Sequence, residues 1–199
     1  MERPNLIFVA GCNASGKSTF IRTRLNELSN SKVIMTDVYK GRTKEIFKDA
    51  LHQKKDIILE TVFNDDSFKN LVSEARSSGY NTFLIALFLD SIKESLARVA
   101  LRGTQQNGIT ISGSNVTINF NESFKNIASY YFYFDRSDFI YTGVDGDNQK
   151  IISFNKMNLI FYQNNNLQYP QRFAKFAFSK KKLTDEAYSI ITANENFTF

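Results

Sequence analysis

Residues 11–18 read Gly-Cys-Asn-Ala-Ser-Gly-Lys-Ser, followed by Thr19, and no other stretch constrains the fold of this chain as tightly. The spacing is glycine, four residues, glycine, lysine and a hydroxyl residue. A short apolar run, Leu6 to Ala10, stands directly before it, and a helical pattern from Lys17 to Leu28 directly after it. That strand, loop and helix context is what makes the spacing a phosphate-binding loop. Gly11 and Gly16 permit backbone angles that a Cβ would forbid. The loop amides can then turn inward and form a nest for an anion. Residues Gly11, Cys12, Asn13, Ala14, Ser15, Gly16, Lys17, Ser18 and Thr19 are therefore the candidate nucleotide-phosphate site. Lys17 can reach the outer phosphates, and the Ser18 hydroxyl can hold Mg²⁺. Four such fixed positions coincide by chance in about one chain in a hundred at average composition. Cys12 reads as a small loop residue rather than a reactive thiol.

The rest of the first half agrees with that loop. Strand signals at Leu6 to Ala10, Lys32 to Met35, Asp56 to Leu59 and Thr82 to Leu89 alternate with helix signals at Lys17 to Leu28, Lys40 to Gln53, Asp65 to Ser77 and Ile92 to Leu101. Alternation of this kind implies βαβ crossovers and a parallel sheet covered on both faces. The fold class expected is a three-layer α/β P-loop fold with a mainly parallel sheet. The pattern then breaks. Gly103 to Asn115 is rich in Gly, Ser, Thr, Asn and Gln and reads as a lid loop, placed at about 103–118. A helix is expected over Asn121 to Tyr130 and a strand over Asp138 to Thr142. A late hairpin joins Lys150 to Phe154 and Asn158 to Tyr162, and a last helix runs from Thr184, as cap, to Thr192. The reading is one domain, with a core of about 5–142 and a hairpin-plus-helix appendage at about 143–199.

The chain has 199 residues and a net charge of +5, a mild field that attracts anions. The charge is spread out, which argues against a nucleic-acid surface. The one dense run, Lys180 to Lys182, reads as a solvated helix end. A single cysteine rules out an internal disulfide and points to a reducing, cytoplasmic setting. No apolar stretch approaches the roughly 18 residues of a membrane helix, so no membrane is expected. His52, the only histidine, has no partner at metal spacing and reads as a surface residue.

Several P-loop classes separate on short motifs. A guanine-reading site needs Asn-Lys-x-Asp, and Asn155-Lys156-Met157-Asn158 lacks the aspartate, which argues against a GTPase. Asp90, at the end of an apolar run, is either an acid that holds Mg²⁺ through water or the cap of the helix near Ile92. Asp37 follows the second strand and falls near the crevice at the strands' carboxyl ends. There it is either a loop or cap residue or the base that takes a proton from an acceptor hydroxyl as a phosphoryl group moves. Glu60 and Thr61 end the third strand, where packing alone rarely places a carboxylate. Glu60 could bind a substrate hydroxyl or a metal-bound water.

Taken together, these residues resemble the zeta toxin family of P-loop kinases. The likeness rests on Phe8 to Thr19, on Ile34-Met35-Thr36-Asp37 with Arg42 behind it, and on Glu60-Thr61-Val62-Phe63. It rests also on Gly79-Tyr80 leading to a strand and then a helix with Arg98 and Arg102, and it spans roughly residues 5–130. It implies a kinase that uses ATP and Mg²⁺ to phosphorylate a sugar hydroxyl of a UDP-N-acetyl amino sugar. On that resemblance Asp37 is the base, Lys17 and Ser18 bind phosphate and metal, and Arg42, Glu60 and Thr61 serve the acceptor. Arg98 or Arg102 stabilises the transferring phosphoryl group, and an antitoxin protein is the implied partner. The sequence departs from the family at two places. Gln106-Asn107-Gly108-Ile109 stands for a usual Gly-Gly-His, and Thr117-Ile118-Asn119-Phe120 for a stretch with a further arginine, a role in which Lys125 could substitute. The alternatives are a kinase for another hydroxyl, such as a nucleoside, a sugar or a nucleic-acid end, a nucleotide-binding regulator with little transfer activity, and a nucleic-acid-binding module. Phe120, Phe124, Tyr130 and Tyr133 read as core rather than as a base-stacking face.

Overall fold

In the computed structural model, residues 3–24, 30–106, 111–144 and 147–199 are described. The chain begins with β1 (Asn5–Ala10), the phosphate loop and α1 (Lys17–Arg22). The rest of the helix expected to Leu28 lies largely outside the described residues. Then follow β2 (Lys32–Met35), the single turn α2 (Thr36–Tyr39), a 3-10 turn at Lys40–Arg42, α3 (Thr43–His52), β3 (Ile57–Thr61), α4 (Phe68–Ser77) and β4 (Asn81–Phe88). The second half holds α5 (Ile92–Gln106), α6 (Gly113–Tyr130), β5 (Arg136–Tyr141), β6 (Gln149–Asn155), β7 (Asn158–Tyr162), α7 (Gln168–Ser179), α8 (Asp185–Ala193) and β8 (Phe197–Thr198).

All eight strands form one sheet in the order β2-β3-β1-β4-β5-β6-β7-β8. The first five run parallel, and β6, β7 and β8 are added antiparallel. From β1 the chain crosses first toward β2 and β3 and later toward β4 and β5. The loop after β1 therefore sits where the direction of winding reverses, the place where open α/β sheets bind ligands.

Alternation along the central strands assigns the faces. Leu6, Phe8 and Ala10 point to one face with Leu59, Leu84, Ala86 and Phe88, and Phe47, Leu71, Val72, Phe124, Ile127 and Phe173 cover them from α3, α4, α6 and α7. Val9, Ile58 and Leu87 point to the other, against Phe20 and Ile21 of α1. Each fully buried Phe contributes about 1.5–3 kcal/mol through area removed from water. Such rings concentrate where β5, β6 and α7 meet. The Phe139 and Phe173 centroids are 4.7 Å apart and those of Tyr131 and Phe154 4.6 Å.

Three sequence expectations change. The stretch read as a lid loop at 103–118 is mostly helical among the described residues, since α5 reaches Gln106 and α6 begins at Gly113, while 107–110 lie outside them. Val116, Phe120, Phe124 and Ile127 bury one face of α6, and the Ser112 hydroxyl caps it by accepting from the Asn115 N–H at 3.3 Å. The hairpin and the last helix form as expected, with Thr184 as cap, but the hairpin strands extend the main sheet and a further helix, α7, stands between hairpin and last helix. The helix expected from Lys40 starts only at Thr43. Phe120 and Phe124 are buried as expected, Tyr130 and Tyr133 only partly, His52 is exposed, and Lys180 and Lys181 project from the end of α7. Among the described residues no helix is long and apolar enough to cross a membrane.

Candidate active site

The phosphate loop is held at several points by neighbouring elements. A Cβ at Gly11 would collide with the Leu87 carbonyl oxygen, so only glycine fits beside β4. Gly16 has a φ of 86°, a left-handed angle that favours glycine, and ends the loop as the first flanking residue of α1. Ala14 also takes a positive φ, 57°. The Asn13 carbonyl accepts from the Ser95 hydroxyl at 2.8 Å, and the Ser15 carbonyl accepts from the Thr142 hydroxyl at 2.9 Å. Thr142 lies just past β5, so the loop is gripped from two neighbouring elements.

Lys17 is buried, and its Nζ donates to the Gly11 and Cys12 carbonyls at 3.1 and 3.0 Å. Burial lowers its pKa, while Cys12, Glu60 and Asp37 act in the opposite direction. Cys12 is a buried member of the loop, and the loss of solvent pushes its thiol up, the opposite of what a reactive thiol needs. The Ser18 hydroxyl donates to Glu60 Oε1 at 2.9 Å. Glu60 is 6% exposed at the end of β3, and its second oxygen, Oε2, is buried with no hydrogen-bond partner among the described residues.

One cleft collects several of the residues singled out from sequence. Asn13, Ala14, Gly16, Lys17, Ser18, Asp37, Glu60 and Arg102 line it, with Ile111 at the α6 side. A second cleft continues past the loop, sharing Ala14, Gly16 and Arg102 and adding Thr19, Phe20, Thr23, Arg98, Thr142 and Val144. Asp37 is reached because β2 stops at Met35 and α2 turns the chain over the strand ends.

Other expected residues sit differently. Arg42 is exposed at the start of α3, paired with Glu45 at 3.2 Å, and does not line the cleft. Thr61 is buried and its hydroxyl accepts from the Phe63 N–H at 2.9 Å, which makes it a support of the β3 turn. Arg98 donates to the Gly143 carbonyl at 3.1 Å and to the Ala14 carbonyl at 3.5 Å, so it ties the loop to the β5 end. Lys125 is paired with Glu122 at 2.7 Å on α6 and does not line either cleft. The Asp90 side chain does not cap α5. Its Oδ1 accepts from the Tyr169 N–H at 2.7 Å, at the start of α7. Ser91 and Glu94 cap α5 reciprocally instead: the Ser91 hydroxyl accepts from the Glu94 N–H at 3.3 Å, and Glu94 accepts from the Asp90 N–H at 3.2 Å. The Ser-x-x-Glu spacing was a readable sign of that box. Nothing local in the sequence pointed to Ser95, Thr142 or Asn119, which reach the loop from far along the chain.

The donor set suits Mg²⁺. This ion takes few protein oxygens and fills its remaining positions with water and phosphate. Ser18, with the unpartnered Glu60 Oε2 beside it and Asp37 in the same cleft, offers such oxygens.

No protein-family model matches the chain, and no curated protein matches it in sequence. Solved structures do match in shape. One is from the PezAT chromosomal toxin–antitoxin system of Streptococcus pneumoniae, with a TM-score of 0.59 at 10% identity over 98% of this chain and 85% of that one. The AvrRxo1-ORF1:AvrRxo1-ORF2 complex with sulphate ions gives a TM-score of 0.57 at 13% identity over 98% and 78%. The same complex with ATP gives 0.57 at 12% identity over the same shares. The chain therefore has a three-layer α/β P-loop fold, and its likeness to these structures is one of fold across nearly the whole chain.

Proposed function

We propose that the protein is an ATP- and Mg²⁺-dependent phosphotransferase acting on a hydroxyl of a small molecule, with a UDP-N-acetyl amino sugar as the first acceptor to test. The observation that carries this reading is the convergence of Lys17, Ser18, Asp37, Glu60 and Arg102 on one cleft beside the phosphate loop. The triphosphate lies along the loop, and the nucleoside occupies the second cleft near Phe20 and Thr142. Mg²⁺, when bound by Ser18 and Glu60, neutralises charge on the phosphate oxygens. Lys17 leaves the Gly11 and Cys12 carbonyls to meet those oxygens. Asp37 accepts the proton of the acceptor hydroxyl. The acceptor oxygen forms its bond to the terminal phosphorus as the bond to the ADP oxygen breaks. Arg102 spans both clefts and stabilises the charge on the group in transit. Catalysis of this kind is positioning and electrostatics.

The likeness to a toxin–antitoxin structure adds a second element, a protein partner that closes the cleft. A partner that competes with ATP for the purified protein supports it, and co-purification from the native cell without any such protein counts against it. The acceptor is tested by mass spectrometry with Mg-ATP and panels of UDP-sugars, sugars, nucleosides and oligonucleotides, with Asp37→Asn alongside. A gain of one phosphoryl group on a UDP-amino sugar, lost in the variant, is the expected result. ATP binding with no acceptor ever changed in mass reduces the protein to a nucleotide-binding regulator.

A further inference from the structure

Three asparagine side chains join the phosphate loop to the far side of the cleft. Asn64 Nδ2 donates to Asn119 Oδ1 at 2.8 Å, and Asn119 Nδ2 donates to Asn13 Oδ1 at 2.9 Å. The three residues belong to the β3–α4 turn, α6 and the phosphate loop. The turn itself is conformationally special. Phe63, fully buried, takes a φ of 55°, and its carbonyl accepts from Asn126 Nδ2 at 2.9 Å, again from α6. A large side chain at such an angle persists only where its surroundings hold it there. The relay thus starts at the end of the strand that carries Glu60 and Thr61 and finishes in the loop.

An amide oxygen only accepts, and an amide nitrogen only donates. In a chain of amides, each orientation therefore fixes the next. Asn13 has its oxygen committed to α6, which leaves its NH₂ as the end available to the cleft it lines. Phosphate oxygens only accept, so this orientation attracts them and the reverse would repel them. Asn13 lines the first cleft with Asp37, Glu60 and Arg102, and does not line the second with Thr19, Phe20 and Thr23. With the triphosphate placed as proposed above, the phosphate that meets it is the outermost one.

We propose that Asn119 is a positioning residue that holds Asn13 with its NH₂ toward the terminal phosphate, so that the loop distinguishes a nucleoside triphosphate from a diphosphate. The inference rests on the nucleotide site proposed above and deepens it.

The test is a double-mutant cycle of Asn119→Asp and Asn13→Ala, with ATP and ADP affinities measured by calorimetry in Mg²⁺. A carboxylate at position 119 has no N–H to give, so Asn13 must turn its NH₂ to α6 and its oxygen to the cleft. The expected result is an ATP affinity about tenfold or more weaker in Asn119→Asp, with ADP affinity nearly unchanged. In the Asn13→Ala background the same substitution should weaken ATP by about twofold or less. Equal ATP losses in both backgrounds would show that the new charge acts through space, and would overturn the relay. Parallel losses of ATP and ADP would show a merely structural role, and would overturn it too. A parent protein that binds neither nucleotide overturns the nucleotide site itself, and the relay with it. Should Asn119→Asp melt below the assay temperature, Asn64→Asp reverses the chain from its solvent end and takes its place in the cycle.

Discussion

The hydroxyl of Ser18 and the carboxylate of Glu60, 42 residues apart in sequence, meet at 2.9 Å where the phosphate loop faces the end of β3. The pair brings two metal-type oxygens together before any ligand is considered. Ser18→Ala and Glu60→Gln should each weaken the Mg²⁺ dependence of ATP binding. Titrations with and without Mg²⁺ should therefore converge in the variants, while metal-free ADP binding stays within about twofold of the parent.

Lys17 gives a pH prediction whose sign follows from its burial. Its folded pKa lies below the ordinary 10.5. Below the folded value both the native and unfolded chains hold the proton, and the cost of burying the charge is constant. Between the folded value and 10.5 the native chain has released the proton and the unfolded chain has not, so stability rises with pH. Urea unfolding of the parent and of Lys17→Met across alkaline pH should show this rise in the parent only. Bound phosphates favour the charged form, so ATP binding in that window should take up a proton, read from calorimetry in buffers of different ionisation enthalpy.

Arg98 and Arg102 lie one helical turn apart on α5 and should fail in different ways. Arg98 holds the Ala14 and Gly143 carbonyls, so Arg98→Ala should cost about 1–3 kcal/mol of stability and lower the melting midpoint. Arg102, exposed and lining both clefts, should leave the midpoint unchanged when replaced by Ala and reduce kcat by about a hundredfold or more. Asp37→Asn should abolish transfer with ATP affinity retained. A midpoint that falls with Arg102 and holds with Arg98 would reverse the two assignments.

Asp90 separates a cap from a metal acid. Asp90→Ala removes the acceptor for the Tyr169 N–H and should cost about 1 kcal/mol. Asp90→Asn keeps an oxygen there and should keep both stability and Mg²⁺ dependence. Loss of Mg²⁺-dependent ATP binding in the Asn variant alone would return Asp90 to the metal site.

What the sequence revealed follows a physical divide. The phosphate loop, Asp37 and Glu60 were legible because each stands at a strand end, and strand ends of a parallel sheet converge on one crevice. The start of α6 was hidden because Gly113, Ser114 and Asn115 are weak helix formers. At the first turn, capped by Ser112, that weakness matters little, and the spacing Val116, Phe120, Phe124 and Ile127 carried the helix signal. Helix α7 was masked by Pro170, a residue that ends helices except in their first turn, where it lies here. Arg42 was misplaced because the chain breaks into α2 and a 3-10 turn before α3, which leaves Arg42 beside Glu45 rather than over the strand ends. Asn119 had no local signature, since its partners are 55 and 106 residues away.

The antiparallel pairing of β6 with β5 also governs how this chain can be cut. Without the segment from Gln149 onward, β5 would present a bare row of backbone donors and acceptors, and Phe139 would lose the rings of Phe154 and Phe173 that cover it. A fragment trimmed to the nucleotide-binding half would thus carry an adhesive border and join its neighbours edge to edge. The final strands are the hem of this sheet, and they keep the β5 border beside the phosphate loop paired.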